Sequence, residues 1–416
     1  MPLDILFVHN NFPGQFGFVV NALRARGDRV AAIGQETAPG MPDVPIARWR
    51  ASRGTAKDIF GIATRAEADY IRGHAAAGAA TQLQARGFEP SVIVGHPGWG
   101  ETTLLGEIFP KARRIEYAEF FYRTQGGDVG FDPEFPMPDL AERFRVHAKN
   151  ATMALVYAEA DRIVVPTPFQ GRMLPASLAP IIRTIHEGID TDRIRPNPGA
   201  TFTLPSGRVL DSSMPVVTFV NRRFEPLRGC HIFFRALPAL LEAVPEAEVI
   251  MVGADEAGGY GAAPPSGQTW KQLFLAEITG RVDLDRLHFT GRLPHDRMLA
   301  AVALGRAHVF LTYPFVASWS FFEALATGAM VIGSATGPVI DVIEHGRNGL
   351  LVDFFDVAGL SAALIDACRR PEAYQPHREA ARQTILDRFD QKTRTIPAWL
   401  SLIDEVAAMG PRPIAR

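Results

Sequence analysis

The sequence predicts an α/β protein of two Rossmann-like domains, and three observations carry that prediction. The chain has 416 residues, 47% hydrophobic and 21% charged, which is ordinary globular composition at a length that suits two domains. A strand, a glycine-bearing loop and a helix open the chain at 3–26, and the same order starts again at 216–244. Residues 310–352, FLTYPFVASWSFFEALATGAMVIGSATGPVIDVIEHGRNGLLV, run strand, loop, helix, strand, turn, strand.

Bulk properties narrow the function. A net charge of −2 does not favour a nucleic-acid partner. Cys230 and Cys368 have no nearby cysteine and no metal-ligand spacing, which suits a reducing compartment. The start, MPLDILFVHNNF, has an acid and too short an apolar run for a signal peptide, and no stretch approaches the roughly 20 apolar residues of a membrane span. A cytoplasmic protein is expected, compatible with peripheral contact at the inner membrane face.

In the first domain, residues 3–8 (LDILFV) form a buried strand. The loop from His9 to Gly17 follows, then an amphipathic helix closed by Gly27. Gly14 serves either a tight turn or the close approach of a phosphate or sugar. Residues 29–33 form the next strand, 35–53 a loop with one edge strand, and 55–86 an alanine-rich helical region. The strand at 91–95 ends in His96, Trp99 and Glu101. Ligands bind beyond the carboxyl ends of parallel strands, so these three either grip an acceptor sugar or form a turn whose Trp packs inward. The strand at 113–117 ends in Glu119 and Tyr122, and Tyr122 joins the acceptor-side group. Residues 126–135 (GGDVGFDPEF) read as an ordered loop over the cleft, and Asp128, Asp132 and Glu134 match no calcium-loop spacing, so they read as solvated. A single long helix covers 140–157, a strand 162–165, and a linker runs through Pro196 and Pro198 to Pro215.

The second domain opens with a strand at 216–220 followed by Asn221-Arg222-Arg223-Phe224-Glu225-Pro226-Leu227-Arg228-Gly229 and an apolar helix. Two cations, Arg222 and Arg228, at a strand end facing a helix start suit a diphosphate and the charge it gains on leaving. Residues 257–268 are a glycine-rich insertion expected to be mobile. Downstream, Ser318 and Ser320 offer hydroxyls at the start of a helix, where backbone amides attract phosphate, and amides from Ser318 through Trp319 and Ser320 to Phe321 join them. Glu323, one turn in, is placed either to accept hydrogen bonds from a ribose diol or simply to favour the helix dipole. Helices at 358–369, 377–389 and 397–409 complete the chain.

Glu323-Ala324-Leu325-Ala326-Thr327-Gly328 and Gly346-Arg347-Asn348-Gly349-Leu350-Leu351-Val352 resemble the donor-site motif and the NG-hydrophobic turn of the retaining glycosyltransferases of family 4. The strand-end Arg222, with Arg228 in the family's lysine position, extends that resemblance, as does Glu187-Gly188-Ile189-Asp190, which is similar to an N-G-V-D segment. It covers most of the chain, more specifically in the second half. One departure stands out: eight residues before Glu323 the family's first acid, which reads donor-sugar hydroxyls, is replaced by Phe315.

The resemblance implies a GT-B fold whose two domains face across a cleft. It places an acceptor-side domain at 1–200, with a crossing helix at about 397–416, and a nucleotide-sugar domain at 215–396. It implies a hexosyl transfer from a nucleotide sugar, a UDP- or GDP-sugar, to an acceptor hydroxyl on a glycan, lipid or other glycoconjugate, with no cofactor and no metal. Gly14 would border the diphosphate, and Gly291, Arg292 and Leu293 would line the base pocket through backbone groups. Glu119 stands nearest the position where several family members have a His. No residue reads as a nucleophile or base, which matches retaining enzymes in which the leaving phosphate deprotonates the acceptor. Glu119 and His96 are the side chains placed to assist, beside Arg222 and Arg228. The alternatives are a GT-B epimerase or phosphorylase, and a non-catalytic nucleotide-sugar-binding protein.

Overall fold

Seven short strands form the first sheet: β1 (Asp4–Val8), β2 (Arg29–Gln35), β3 (Ile46–Trp49), β4 (Val92–Gly95), β5 (Arg113–Tyr117), β6 (Arg162–Val165) and β7 (Ile182–Thr184). The computed structural model describes residues 2–135 and 139–413. The sheet is parallel, in the order β3-β2-β1-β4-β5-β6-β7. Strand periodicity decides which face each residue buries. Ile5 and Phe7 of β1 enter one core with Val19, Leu23 and Trp399, while Leu6 and Val8 enter the opposite core with Ala76 and Ala80.

An antiparallel hairpin, β8 (Thr201–Thr203) with β9 (Val209–Asp211), precedes the second sheet. That sheet holds β10 (Val216–Arg223), β11 (Glu248–Ala254), β12 (Leu287–Gly291), β13 (Ala307–Phe310), β14 (Val331–Ser334) and β15 (Leu350–Val352), all parallel, in the order β12-β11-β10-β13-β14-β15. In each sheet the strand order reverses once, between β1 and β4 and between β10 and β13. Loops leaving the carboxyl ends at such a reversal diverge and open a ligand site.

The chain divides into two units. One comprises Met1–Gly130, Pro136–Gly188 and Gln391–Arg416; the other comprises Phe131–Phe135 and Ile189–Asp390. The expected boundaries at 200 and 215 need correction. Residues 189–214 belong with the second unit, because Ile189, Phe202 and Leu210 are buried in its core and the Ile189 amide donates to the Phe389 carbonyl. The expected linker is therefore partly a hairpin. The last helix, Ile396–Ala407, belongs to the first unit, and residues 414–416 of the expected crossing segment lie outside the described residues.

Two other expectations change. The helix foreseen at 140–157 is two helices, Leu140–Ala148 and Ala151–Ala158. The Asn150 amide at the break donates to the Tyr122 carbonyl and accepts from the Tyr122 N–H. The glycine-rich insertion is anchored, with the Tyr260 N–H donating to Glu225 and the Trp270 indole to the Ala262 carbonyl. Among the described residues no helix is long and apolar enough to cross a membrane.

Candidate active site

At the reversal of the second sheet, β10 is buried through Val220 and then emerges with Asn221, Arg222 and Arg223. A single 3-10 turn, Pro226–Arg228, brings the chain back toward the end of β13. Gly229 makes that return feasible: its φ is +65°, and a Cβ there would lie 2.4 Å from the Leu311 Cβ. Arg228 is consequently held almost out of water. Its guanidinium donates to Thr312 Oγ1 at 2.9 Å and to the Val316 carbonyl at 3.0 Å, and sits 5.9 Å from the centroid of the Phe315 ring. Burial pulls its pKa down, with Glu225 and Tyr260 opposing, yet a guanidinium stays charged. Among the described residues no carboxylate forms an ion pair with Arg228 or Arg222. Arg222 is exposed, with the Tyr260 hydroxyl 3.4 Å away. A buried cation with no acidic partner is a place for an anion.

The helix Trp319–Ala326 starts at Ser318, whose hydroxyl lies 2.9 Å from that of Ser320. Trp319 is half exposed. Phe321 corrects the sequence reading: its ring is buried, stacked on Phe310 at 4.5 Å, and its amide already donates to the Ser318 carbonyl. Glu323 is held by His295, whose Nε2 lies 2.8 Å from Glu323 Oε1. Phe315 is buried with its ring 5.3 Å from Tyr260, so an apolar ring stands beside Arg228 at this position.

Gly291 has open space where a side chain would project, which suits backbone access. Arg292 and Leu293 offer no side chain there: Arg292 pairs with Glu256 at 3.0 Å, and Leu293 packs on the second core. Arg223 also pairs with Glu256, whereas among the described residues Arg222 and Arg228 form no ion pair with a carboxylate.

Residues 131–135 belong to this unit, and Asp132 departs from the solvated position the sequence suggested, while Glu134 is exposed as expected. Asp132 is buried. Its Oδ2 accepts from Tyr313 at 2.7 Å and lies 2.9 Å from His231 Nε2, and its Oδ1 accepts from the Glu134 amide. Burial pushes the Asp132 carboxyl upward, but His231, the Glu134 amide and Tyr313 outweigh it and hold it below its usual range. Glu134 takes both of its bonds, at 2.6 Å, from Arg235. Asp132, Glu134 and His231 bring ligand-type atoms within 4.8 Å of one another, yet the carboxylate oxygens are already committed to protein donors.

In the first unit the reversal gathers an aromatic cluster. His96 is buried, stacked on Trp99 at 4.5 Å and edge-on to His9 at 5.2 Å. His96 Nε2 lies 3.4 Å from Glu119 Oε2, and Glu119 is partly exposed. His9 accepts from the Asn11 amide, and burial aided by His96 pushes its pKa to about 3, so it is neutral at pH 7. Gly14 backs this ring: at φ +50° its Cβ would lie 2.4 Å from His9 Cε1. The Tyr117 hydroxyl donates to Glu187. Aromatic faces beside a carboxylate suit a sugar, whose C–H face stacks and whose hydroxyls bond.

Two predicted acceptor residues are not part of this cluster. Glu101 is fully buried, and burial raises its pKa to about 7, so it cannot reach an acceptor. The Tyr122 backbone is tied to Asn150, and its ring lies 5.0 Å from Lys149 Nζ and 5.4 Å from the Phe120 ring. Sequence reasoning missed His9, Thr312, Tyr313, Tyr260 and His295. The signal for His9 was its place directly after β1; for the others, the pairing is tertiary.

Residues 26–194 match the family described as Glycosyl transferase family 4 group, and residues 214–370 match Glycosyl transferases group 1. The chain is 24% identical over 360 residues to the GDP-mannose-dependent alpha-(1-6)-phosphatidylinositol monomannoside mannosyltransferase of Mycobacterium tuberculosis, spanning 84% of this chain and 85% of that one. It is 24% identical over 195 residues to the D-inositol 3-phosphate glycosyltransferase of Streptomyces scabiei, spanning 46% and 42%. Among solved structures, sucrose-phosphate synthase from Thermosynechococcus elongatus has the same fold, with a TM-score of 0.71 at 17% identity over 98% of this chain and 99% of that one. Anabaena Alr3699/HepE, in complex with UDP and glucose, follows with a TM-score of 0.64 at 15% identity over 97% and 100%.

Proposed function

The chain belongs to the family 4 glycosyltransferases of GT-B fold, and on that premise we propose that it moves a hexosyl group from a nucleotide sugar to an acceptor hydroxyl with retention of configuration. The observation that supports this reading most is Arg228: a buried guanidinium at the strand-order reversal that forms no ion pair with a carboxylate among the described residues. With Arg222 and the start of the helix Trp319–Ala326, it supplies the charge that a nucleoside diphosphate requires. Glu323 takes the ribose hydroxyls.

In the transfer, the bond from the anomeric carbon to the donor phosphate oxygen breaks as the bond to the acceptor oxygen forms. The acceptor proton passes to the departing diphosphate. Arg222 and Arg228 stabilise the charge that this phosphate gains. Two guanidinium groups and a helix start supply that charge without a divalent cation, so activity is expected to persist in excess chelator. Loss of activity with chelator and its return with magnesium or manganese would contradict this.

The acceptor hydroxyl comes from a glycan, lipid or other glycoconjugate, and the cluster of His9, His96, Trp99 and Glu119 receives it. The donor is a UDP- or GDP-sugar. GDP-mannose is the first to assay, because a relative spanning 84% of the chain is named for its use. The relatives' names are those of transferases and synthases, which favours transfer over the epimerase, phosphorylase or non-catalytic readings. A lipid acceptor would bring the protein to a membrane surface. The test is nucleotide release from GDP-mannose and UDP-glucose with and without added acceptors, with product configuration read by NMR. Acceptor-dependent release giving an inverted product would overturn the reading.

A further inference from the structure

Within the second unit, a relay of three side chains ends on the carboxylate assigned to ribose. Arg193 Nη2 lies 3.0 Å from His295 Nδ1 and donates to Asp296 at 2.8 Å, while His295 Nε2 lies 2.8 Å from Glu323 Oε1. A guanidinium can only donate, so His295 Nδ1 must accept with its lone pair. The ring then carries its proton on Nε2 and donates it to Glu323. One carboxylate oxygen is thereby committed, and the orientation of the other is fixed. Glu323 is largely buried on its helix, and His295 and Arg193 reach it from the more exposed side. Without the relay, a glutamate side chain with three rotatable bonds would have to be ordered by the ligand itself, at an entropic cost to affinity.

We propose that His295, its tautomer set by Arg193, is a positioning residue that presents Glu323 to the ribose hydroxyls and so sets the preference for ribonucleotides over deoxyribonucleotides. This rests on the reading of Glu323 as the ribose ligand. Neither His295 nor Arg193 bears on the diphosphate, so their effect should appear only when the ribose hydroxyls are present.

The test measures affinity for UDP and GDP, for their 2′-deoxy forms, and for inorganic pyrophosphate, in the full chain. The wild type should prefer the ribo form of the nucleotide it binds by about tenfold, the worth of one hydrogen bond to a charged group. Glu323→Ala should abolish the preference, and His295→Ala should remove most of it. The double variant should add nothing beyond Glu323→Ala, and His295→Gln, which keeps an N–H, should restore part. Pyrophosphate affinity should stay unchanged in all of them. If Glu323→Ala removes the preference and His295→Ala leaves it intact, the positioning role is wrong while the ribose reading stands. If Glu323→Ala leaves the preference intact, or neither nucleotide binds, the ribose reading itself fails. A parallel loss of pyrophosphate affinity in His295→Ala would show general damage to the site and overturn the positioning role.

Discussion

In the proposed donor site, Arg228 is ordered before any ligand arrives. Its own N–H groups anchor it to Thr312 and the Val316 carbonyl, so it does not need the ligand to order it. Replacing it with alanine removes charge-assisted hydrogen bonds worth roughly 1.5–3 kcal/mol, so nucleotide affinity should fall about 10–100-fold by calorimetry. Lysine, which lacks the planar fork, should recover only part of that loss. A second residue-scale effect concerns stability. Burial raises the Glu116 carboxyl to about 8, against opposition from Arg114, and the Glu101 carboxyl to about 7. The folded state therefore holds protons that the unfolded chain has already released, and stability is lost as pH rises through these values. Neutral buried His9 acts oppositely, between its value of about 3 and 6.5, so the clean window is pH 6.5 to 8. There the wild-type Tm should fall with pH, and Glu116→Gln should flatten the slope. The positions of Arg222 and Arg228 after a strand and of Glu323 in the first turns of a helix were legible in the sequence, while the donor-site roles proposed for them came from the family resemblance. Glu101 misled: it follows a strand end, but its side chain turns into the core, and no local pattern records that.

At the scale of elements, the segment Phe131–Phe135 has the clearest energetic signature. The Phe131 ring lies 5.0 Å from Tyr313 and 5.2 Å from Phe355, the Phe135 ring lies 5.3 Å from Trp270, and Asp132 and Glu134 bond between them. Asp132→Ala would leave the Tyr313 hydroxyl and His231 buried without their acceptor. The expected loss is about 3 kcal/mol, read as a lower urea midpoint. Tyr313→Phe, which removes only one of these bonds, should cost less. The sequence shows this stretch as Gly, Pro and Asp, which is the composition of a solvated loop. Its partners, His231 and Tyr313, lie 99 and 181 residues away, so local composition could not reveal the docking. The break at Asn150 is a similar case: a helix-compatible run is interrupted by a bond to Tyr122, 28 residues upstream.

For the whole molecule, alternating strands and helices made both parallel sheets legible, since strand burial on two faces leaves continuous apolar runs. The division of the chain was less so. The final helix returns to the first unit because Trp399, Leu402, Ile403 and Val406 complete a core begun by β1. Trp399→Ala should cost about 3–5 kcal/mol and lower the unfolding transition of the first unit selectively, as read by calorimetry. The central claim is that the second unit carries a donor site built on Arg228 and Glu323. The measurement that tests it most directly is a thermal-shift comparison of the wild type, Arg228→Ala and Glu323→Ala with UDP, GDP and ADP in excess chelator. A ligand that binds only the folded state raises its melting temperature. The account predicts a rise with one nucleotide in the wild type that both variants lose. No rise with any nucleotide, or a rise that survives both substitutions, would contradict it.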